Sequence, residues 1–148
     1  MKKFYLVSLI TFMIDRIIKI LVVLLNIDNV TIINNFFNIN LAYNYGAAWS
    51  ILTGKKLFLI LISIIIVIGI YFILIRGKKL KTYESITYGL LIGGILGNLF
   101  DRIVYGYVID FLDFYIFGYD FPIFNLADSF IVISIFMLLV DLIRGEAW

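Results

Sequence analysis

The sequence predicts a membrane all-α fold with a small β platform, and its composition and apolar stretches are the observations behind this. The chain has 148 residues, of which 64% are hydrophobic and only 15% charged, with a mean hydropathy of +1.09. An ordinary soluble domain is much less apolar. Four stretches, at about residues 4–25, 57–75, 83–103 and 125–143, are each near the roughly 20 residues that cross a bilayer. We therefore predict one integral membrane domain over residues 1–148, with four transmembrane helices.

The distribution of Lys and Arg predicts the orientation of these helices. With four spans, one side of the membrane carries Lys2, Lys3, Arg76, Lys78, Lys79, Lys81 and Arg144, and the other only Lys55, Lys56 and Arg102. Basic residues concentrate on the cytoplasmic side of membrane proteins. Both termini are therefore expected in the cytoplasm, and the two longer connections, residues 26–56 and 104–124, face outward.

These outer connections have the composition of short strands that lie at a membrane surface. Residues 32–42 are rich in Ile, Phe and Asn with partial alternation, and residues 104–124 contain nine aromatic side chains. Tyr is favoured at the interface because its ring is apolar while its hydroxyl stays in water. We expect the two segments to form a half-submerged platform on the outer surface.

The residue types that are missing restrict the chemistry. The chain contains no His and no Cys, so thiol nucleophiles, His bases and most zinc sites are excluded. The formal charge of +2 is too small to indicate a nucleic-acid partner. What remains is carboxylate chemistry, and five aspartates lie within or beside apolar stretches: Asp15, Asp101, Asp110, Asp113 and Asp128. Because carboxylates near hydrocarbon are costly, they point first to a functional site.

The third apolar stretch combines small and polar residues in a regular pattern. Gly89, Gly93 and Gly97 recur every four residues and form a stripe against which another helix can pack closely. A second face, offset by spacings of three and four, contains Gly94, Asn98, Asp101 and Arg102. Helix packing and an interfacial Asp101–Arg102 ion pair would explain both faces. Asn98 lies inside the apolar span, however, which favours a functional role for the polar residues.

Of the next two acidic segments, one lies within the predicted platform and the other directly follows it. Asp110 lies between Ile109 and Phe111, so we expect it to be partly desolvated, with a raised pKa. The alternative is a solvated loop carboxylate, which suits Asp113 better. Further on, Asn125 can cap the fourth helix with Asp128 in its first turn. Capping alone would explain that pair, but Asp128 also has to lie at the outer membrane boundary, where Asp101 and Asp110 are expected.

Two further motifs lie near the same boundary. Asp15 and Lys19 are spaced i, i+4 and can form an ion pair on one face of the first helix, whereas Arg16 is expected to point elsewhere. A buried ion pair can be purely structural. Asn44 begins a stretch of small residues, NYGAAWS, which by itself indicates a tight turn. Polar groups from three helices and both outer segments thus converge on one leaflet.

Taken in order, these motifs resemble the lipoprotein signal peptidase (signal peptidase II) family of bacterial aspartic proteases. The resemblance covers nearly the whole chain and rests on five motifs: Asp15 with Lys19, N-x-G-A-A at 44–48, G-G-x-x-G-N-x-x-D-R at 93–102, G-x-V-x-D-F at 106–111, and F-N-x-A-D at 124–128. Ile18 departs from the small hydroxyl residue that often precedes the lysine in the family. Five ordered motifs at consistent positions make the resemblance specific.

The resemblance implies a site and a reaction. Asp110 and Asp128 fall on the catalytic pair. The supporting positions fall on Asp15, Lys19, Asn44, Gly94, Asn98, Asp101, Arg102 and Asn125. The implied enzyme removes signal peptides from diacylglyceryl-modified prolipoproteins by cutting before the lipidated cysteine. One carboxyl of the pair holds a proton while the other activates water.

The resemblance also implies the surroundings of the reaction. Four transmembrane helices would carry an extracytoplasmic β-cradle and a short amphipathic helix over the site. The enzyme would act in the bacterial inner membrane as a monomer, among membrane lipids and with its site at the extracytoplasmic face. It would need no metal or organic cofactor and no nucleic acid.

Two other functions remain open on the residues alone. Clustered aspartates in a small membrane protein could bind Mg²⁺ or Mn²⁺ in a phospholipid-headgroup transferase, although such an enzyme would prefer its carboxylates on the cytoplasmic side. A transporter or channel subunit could use Asp15 and Asp128 as ion ligands. Insensitivity to EDTA would argue against the first function, and a requirement for Asp110 would argue against the second.

Overall fold

The computed structural model describes residues 1–145 and consists mainly of four long helices. Helix α1 spans Lys2–Leu24, α2 Lys56–Ile70, α3 Thr82–Val104 and α4 Leu126–Ile143. Helix α2 continues as a π-helical turn over Tyr71–Ile75. The predicted boundaries at 4–25, 57–75, 83–103 and 125–143 therefore agree with the helices to within about two residues.

Two of these helices are long and apolar enough to cross a membrane by length and composition, namely Lys56–Ile75 and Leu126–Ile143. Helices α1 and α3 carry more polar side chains, most of them buried against each other. The prediction of four membrane spans therefore remains a prediction for α1 and α3, although both are helical at the predicted positions.

Helix α3 is the centre of the bundle and packs against α1, α4 and α2. Its predicted glycine stripe faces α1: a Cβ added at Gly89 would lie 2.7 Å from the side chain of Val7, and one at Gly93 would lie 2.6 Å from Thr11. Gly94 faces the other way, where an added Cβ would lie 2.7 Å from the carbonyl oxygen of Ala127 on α4. The small residues thus allow α3 to approach two helices closely.

The connections at residues 26–56 and 104–124 form one small antiparallel sheet in the order β1-β2-β3-β4. Strand β1 spans Val30–Ile33, β2 Phe37–Asn44, β3 Val108–Ile116 and β4 Tyr119–Asp120. The predicted short strands are therefore confirmed, whereas their position on the outer membrane surface stays a prediction. The expected short amphipathic helix is not found among residues 1–145, because the connection between β2 and α2 contains only a 3-10 turn at Ala48–Ser50. Trp49, Ser50 and Leu52 have left-handed backbone angles there, which do not continue an α-helix.

Strands β2 and β3 provide the part of the sheet that matters for the site. They pair antiparallel with Ala42 opposite Asp110 and Asn44 opposite Val108, and the register shifts between Ile39 and Ala42. The first residues of β3, from Val108 to Phe111, are buried, whereas β1 is exposed along its whole length. The sheet therefore covers the end of the helical bundle with the start of β3.

Candidate active site

The N-terminus of α4 is held against β3 by backbone hydrogen bonds. The carbonyl oxygen of Phe124 accepts from the amides of Phe111 at 2.9 Å and Leu112 at 2.7 Å, and the amide of Phe124 donates to Leu112 at 3.1 Å. Asn125, the next residue, begins the helix. This junction brings a helix that starts near residue 125 beside a strand that contains Asp110.

Asn125 and Asp128 form a capping box at the start of α4, as the sequence predicts. The Asn125 side-chain oxygen accepts from the amide of Asp128 at 3.0 Å, and Asp128 Oδ2 accepts from the amide of Asn125 at 3.2 Å. This reciprocal arrangement satisfies amides at the helix start and fixes the side chain of Asp128. Capping and a functional role for Asp128 are thus compatible.

Asp110 is buried on β3, with 2% of its surface exposed. Its Oδ1 accepts from Asn125 Nδ2 at 2.6 Å and its Oδ2 from Asn44 Nδ2 at 3.1 Å. Asp113, further along the same strand, is only partly buried. As predicted, Asp110 is therefore the more buried of the two aspartates, and Asp113 is the more solvated.

Two amide side chains connect Asp110 to Asp128. Asn98 on α3 donates from Nδ2 to Asp128 Oδ1 at 2.7 Å. The Asn98 oxygen accepts at 3.1 Å from Asn125 Nδ2, which also donates to Asp110. A continuous hydrogen-bonded chain thus joins the two carboxylates, and each of their four oxygens accepts a bond from an amide.

Burial and the charge of Asp128 together raise the pKa of Asp110 to about 7, with burial as the larger cause. Hydrogen bonds from Asn44 and Asn125 and the charge of Lys19 oppose the shift only in part. Because a buried carboxylate beside a second carboxylate keeps its proton more readily, a protonated Asp110 is accessible near neutral pH.

Beneath the two aspartates, Lys19 is the hub of a buried charge cluster. Its ammonium lies 3.0 Å from Asp15 Oδ2, 2.8 Å from Asp101 Oδ2 and 2.9 Å from the side-chain oxygen of Asn98. Lys19, Asp15 and Asp101 are all fully buried. The predicted pairing of Asp15 with Lys19 is present, and Asp101 joins it from α3.

The cluster also holds the backbone next to each candidate catalytic residue. Asp15 Oδ1 accepts from the amide of Ala127 at 3.0 Å, and Ala127 directly precedes Asp128. Asp101 Oδ2 accepts from the amide of Ile109 at 3.2 Å, and Ile109 directly precedes Asp110. One ammonium therefore links two carboxylates that each fix the chain beside one aspartate of the pair.

One expectation about the basic residues is wrong, and one alternative, the Asp101–Arg102 ion pair, is not found among residues 1–145. Arg16 does not point away from this region, because its Nη1 pairs with Asp101 Oδ1. Asp101 therefore pairs with Arg16 and Lys19 rather than with Arg102. The sequence reasoning missed Arg16 because it considered only partners on the same helix, and position 16 is next to Asp15. Its charge within an apolar span was the signal that could have revealed it.

Arg102 and Asn44 tie the β2–α2 connection to the site. Arg102 Nη2 donates to the carbonyl oxygen of Gly46 at 2.9 Å. The side chain of Asn44 accepts from the amide of Gly46 at 2.9 Å and donates to the carbonyl of Ala47 at 3.2 Å. Asn44 thus both forms the expected tight turn and reaches Asp110.

The structure brings nine of the ten site residues inferred from the sequence into one connected network, and Gly94 contributes by its packing against α4 instead. Within residues 1–145, no group of three or more acidic side chains is arranged so that it could hold a metal ion. Independence from cofactors nevertheless stays a prediction.

Comparisons with known proteins connect this arrangement to a family. A family model described as signal peptidase II matches residues 7–144. Lipoprotein signal peptidases from Staphylococcus aureus strains JH9 and Newman are each 42% identical over 120 residues, which are 81% of this chain and 74% of theirs.

Two solved structures, both described as a bacterial membrane enzyme studied by the in meso method, are similar in fold. One is superimposed with a TM-score of 0.88 at 35% identity, over 97% of this chain and 89% of that one. The other gives a TM-score of 0.85 at 35% identity, over 96% and 93% of the two chains. The similarity therefore extends over the helices and the sheet together.

Proposed function

The chain belongs to the signal peptidase II family, and from that premise we propose that it is a membrane aspartic endopeptidase of prolipoproteins. Its substrate is a prolipoprotein whose cysteine carries a diacylglyceryl group, and the cut falls immediately before that cysteine. The relatives named lipoprotein signal peptidase support the substrate class. Asp110 and Asp128 are the proposed catalytic residues.

One observation carries the proposal: the buried Asp110 and the partly buried Asp128, from distant parts of the chain, are joined through the side-chain amides of Asn98 and Asn125. If Asn125 served only to cap α4, it would not need to donate to Asp110 on β3. A solvated loop carboxylate would not be 2% exposed, as Asp110 is. This connection supports an aspartic mechanism, in which neighbouring carboxyls share one proton.

The reaction follows from this shared proton. The charged carboxylate takes a proton from water, which attacks the scissile carbonyl, and the protonated partner stabilises the developing oxyanion and then protonates the leaving amine. The two aspartates titrate as a unit, so the charged member is not assigned to one residue. Asn44, Asn98 and Asn125 orient the carboxylates and leave a second acceptor position on each oxygen for water.

The membrane context of the site completes the proposal. All four helices cross the bacterial inner membrane as one domain, both termini lie in the cytoplasm, and the sheet lies on the extracytoplasmic face. The length and apolar composition of α2 and α4 support membrane crossing, and the surplus of Lys and Arg at the opposite end of the bundle supports this orientation. The enzyme acts as a monomer without a metal, and the lipid chains of the substrate reach the site laterally from the bilayer.

Cleavage of a purified, diacylglyceryl-modified prolipoprotein tests the proposal. We expect the wild type to cleave it and to leave the unlipidated form largely intact. Asp110→Asn and Asp128→Asn should each lower kcat by about 10³-fold or more, because neither amide can exchange the shared proton. Asp113→Asn is the matched control, since it makes the same change on the same strand outside the network, and it should retain most of the activity.

Thermal unfolding in detergent separates loss of chemistry from loss of structure. Both inactive variants should unfold cooperatively, as the wild type does. Near-normal cleavage by either folded variant would contradict the assignment of the pair. An equal loss in Asp113→Asn would mean that the wrong aspartate of this strand had been chosen.

A further inference from the structure

Arg16 is a buried residue that joins the charge cluster of Lys19, Asp15 and Asp101 through Asp101. Its side chain is about as buried as that of a core residue, at 5% exposure. Its guanidinium pairs with Asp101 Oδ1 and lies over the ring of Phe100, 4.6 Å from its centroid. A second nitrogen donates to the Tyr105 hydroxyl at 3.3 Å. An isolated cation would not be retained there without a partner, since burying a charge is costly.

Lys19 cannot satisfy Asp101 by itself. An ammonium has three N–H donors, and those of Lys19 have three partners, in Asp15, Asp101 and Asn98. Its contact with Asp101 is to Oδ2, which also accepts from the amide of Ile109. Asp101 Oδ1 therefore needs another donor, and Arg16 supplies it.

Arg16 also balances the charge of the cluster. Without it, the buried group would contain two carboxylates, Asp15 and Asp101, and only one cation, Lys19. With it, two cations face two carboxylates. Because electrostatic interactions are strong where water is excluded, this balance determines how Lys19 divides its hydrogen bonds among its partners.

We propose that Arg16 is a positioning residue of the peptidase site, which acts through Asp101 and the Ile109 amide to hold Asp110 in its place relative to Asp128. This inference rests on the proposed function. Arg16 itself contacts neither aspartate of the pair. Its removal leaves Asp101 short of a donor, so that Lys19 moves toward Asp101 and away from Asn98, which holds Asp128.

The charge balance gives the proposal a consequence that packing alone would not produce. Losing a cation favours the protonated forms of the catalytic pair, so the pH profile of kcat moves to higher pH. The charged and titratable groups that surround this region are Asp15 and Lys19 from α1, Asp101 and Arg102 from α3, Tyr105 and Tyr107 from the following turn, Asp110 from β3 and Asp128 from α4. Arg16→Gln removes the Arg16 cation and leaves all of these groups unchanged.

The first experiment compares Arg16→Gln with a matched control in the full-length chain. Arg76 also lies over an aromatic ring, 5.1 Å from the centroid of Phe72, but at the end of α2 far along the bundle from β3. Arg16→Gln should lower kcat by up to about 100-fold, because small misplacements of catalytic groups are this costly. KM should stay within about twofold of the wild type. Arg76→Gln should match the wild type in kcat and pH profile.

Arg16→Lys and a double-mutant cycle sharpen the comparison. Arg16→Lys keeps the charge and should restore the wild-type pH profile and most of kcat. The effects of Arg16→Gln and Asp101→Asn should not add: the double variant should be no slower than Asp101→Asn. This comparison remains available if Arg16→Gln fails to fold, since the double variant contains no unpaired Asp101 charge.

Three results would overturn the proposal. The first is an Arg16→Gln variant that behaves like Arg76→Gln. The second is a loss of kcat with an unmoved pH profile that Arg16→Lys does not reverse, which would indicate packing alone. The third is additivity in the cycle. Failure of the proposed function is distinguishable from these results, because it would appear as an inactive wild type or an active Asp110→Asn.

Discussion

Helices α2 and α3 are both long, yet they relate to the rest of the molecule in opposite ways. Along Lys56–Ile70, α2 buries only Leu59, whereas α3 buries twelve residues, among them Thr87, Asn98 and Asp101. Within Lys56–Ile75, an 18-residue window has a mean hydropathy of 3.3, and many large side chains of this segment point outward; Ile73, for example, is 71% exposed. The more polar helix is therefore the buried one.

This inversion is what a bilayer as solvent produces. Lipid is as apolar as Leu, so hydrophobic side chains gain nothing from turning inward. Small residues and satisfied polar groups hold the helices together instead, and polar groups that face lipid would be costly. The site of this protein is consequently built on the face that a soluble protein would fill with hydrophobic residues.

The largest expected effect is the loss of a buried charge on α3. Asp101→Ala leaves Arg16 without a carboxylate and Lys19 with Asp15 alone, and it should destabilise the protein by about 3–5 kcal/mol, because an uncompensated buried charge remains. In α2, Ser63 donates only to the carbonyl of Leu59 on its own helix, at 2.8 Å. Ser63→Ala should change stability by less than about 0.5 kcal/mol. Thermal unfolding of both variants in detergent provides the measurement, and equal effects would contradict the contrast between the helices.

A pair of glycines provides a sterically matched test. An added Cβ at Gly97 on α3 would lie 2.5 Å from Asp15 Oδ2, whereas one at Gly69 on α2 would meet nothing within 4 Å. Gly97→Ala should therefore cost about 1–3 kcal/mol and disturb the charge cluster, with a fall in kcat. Gly69→Ala should be neutral or slightly stabilising because Ala is the better helix former. Unfolding temperature and cleavage rate measure the two effects, and a harmless Gly97→Ala would mean that α1 and α3 are less closely packed.

The burial of Asp110 on β3, at the end of α3, should make the stability of the folded protein depend on pH. Its pKa is raised from 3.8 to about 7 in the folded protein, so the folded state binds more protons than the unfolded state between these values. The stability associated with this group is therefore fully present at low pH and is lost as the pH rises through about 7.

Asp110→Asn removes this titration. Relative to the wild type, its melting temperature should rise by a few degrees between pH 4 and pH 8. Thermal unfolding across that range measures the difference, and a difference that stays constant with pH would contradict the raised pKa. The cleavage rate of the wild type should also fall as the pH increases above about 7, when the pair loses its shared proton.

The smallest expected effect is that of metal removal. If the polar face of α3 supports a proton-sharing pair and not a metal site, EDTA should leave the rate of cleavage within about twofold. Added Mg²⁺ should not restore Asp110→Asn or Asp128→Asn. A rate that falls with EDTA and returns with Mg²⁺ or Mn²⁺ would instead favour the phospholipid-headgroup transferase.

Much of the helical architecture could be predicted because it depends on local patterns. Apolar length located all four helices, the Asn125–Asp128 spacing predicted the cap of α4, and the glycine stripe predicted close packing of α3. The expected amphipathic helix was wrong, since residues 48–54 contain left-handed backbone positions that sequence periodicity does not reveal. Arg16 was misjudged because its partner, Asp101, is on another helix.

The sequence by itself determined which residues could carry chemistry here: without His or Cys, acidic side chains beside hydrocarbon were the remaining candidates. Only the tertiary structure decided which of them meet. The register of β3 against Phe124 brings Asp110 beside Asn125, and the α1–α3 contact places one ammonium between Asp15 and Asp101. The physical reason is that the free energy of a buried charge depends on partners that are distant in the chain, which no local pattern encodes.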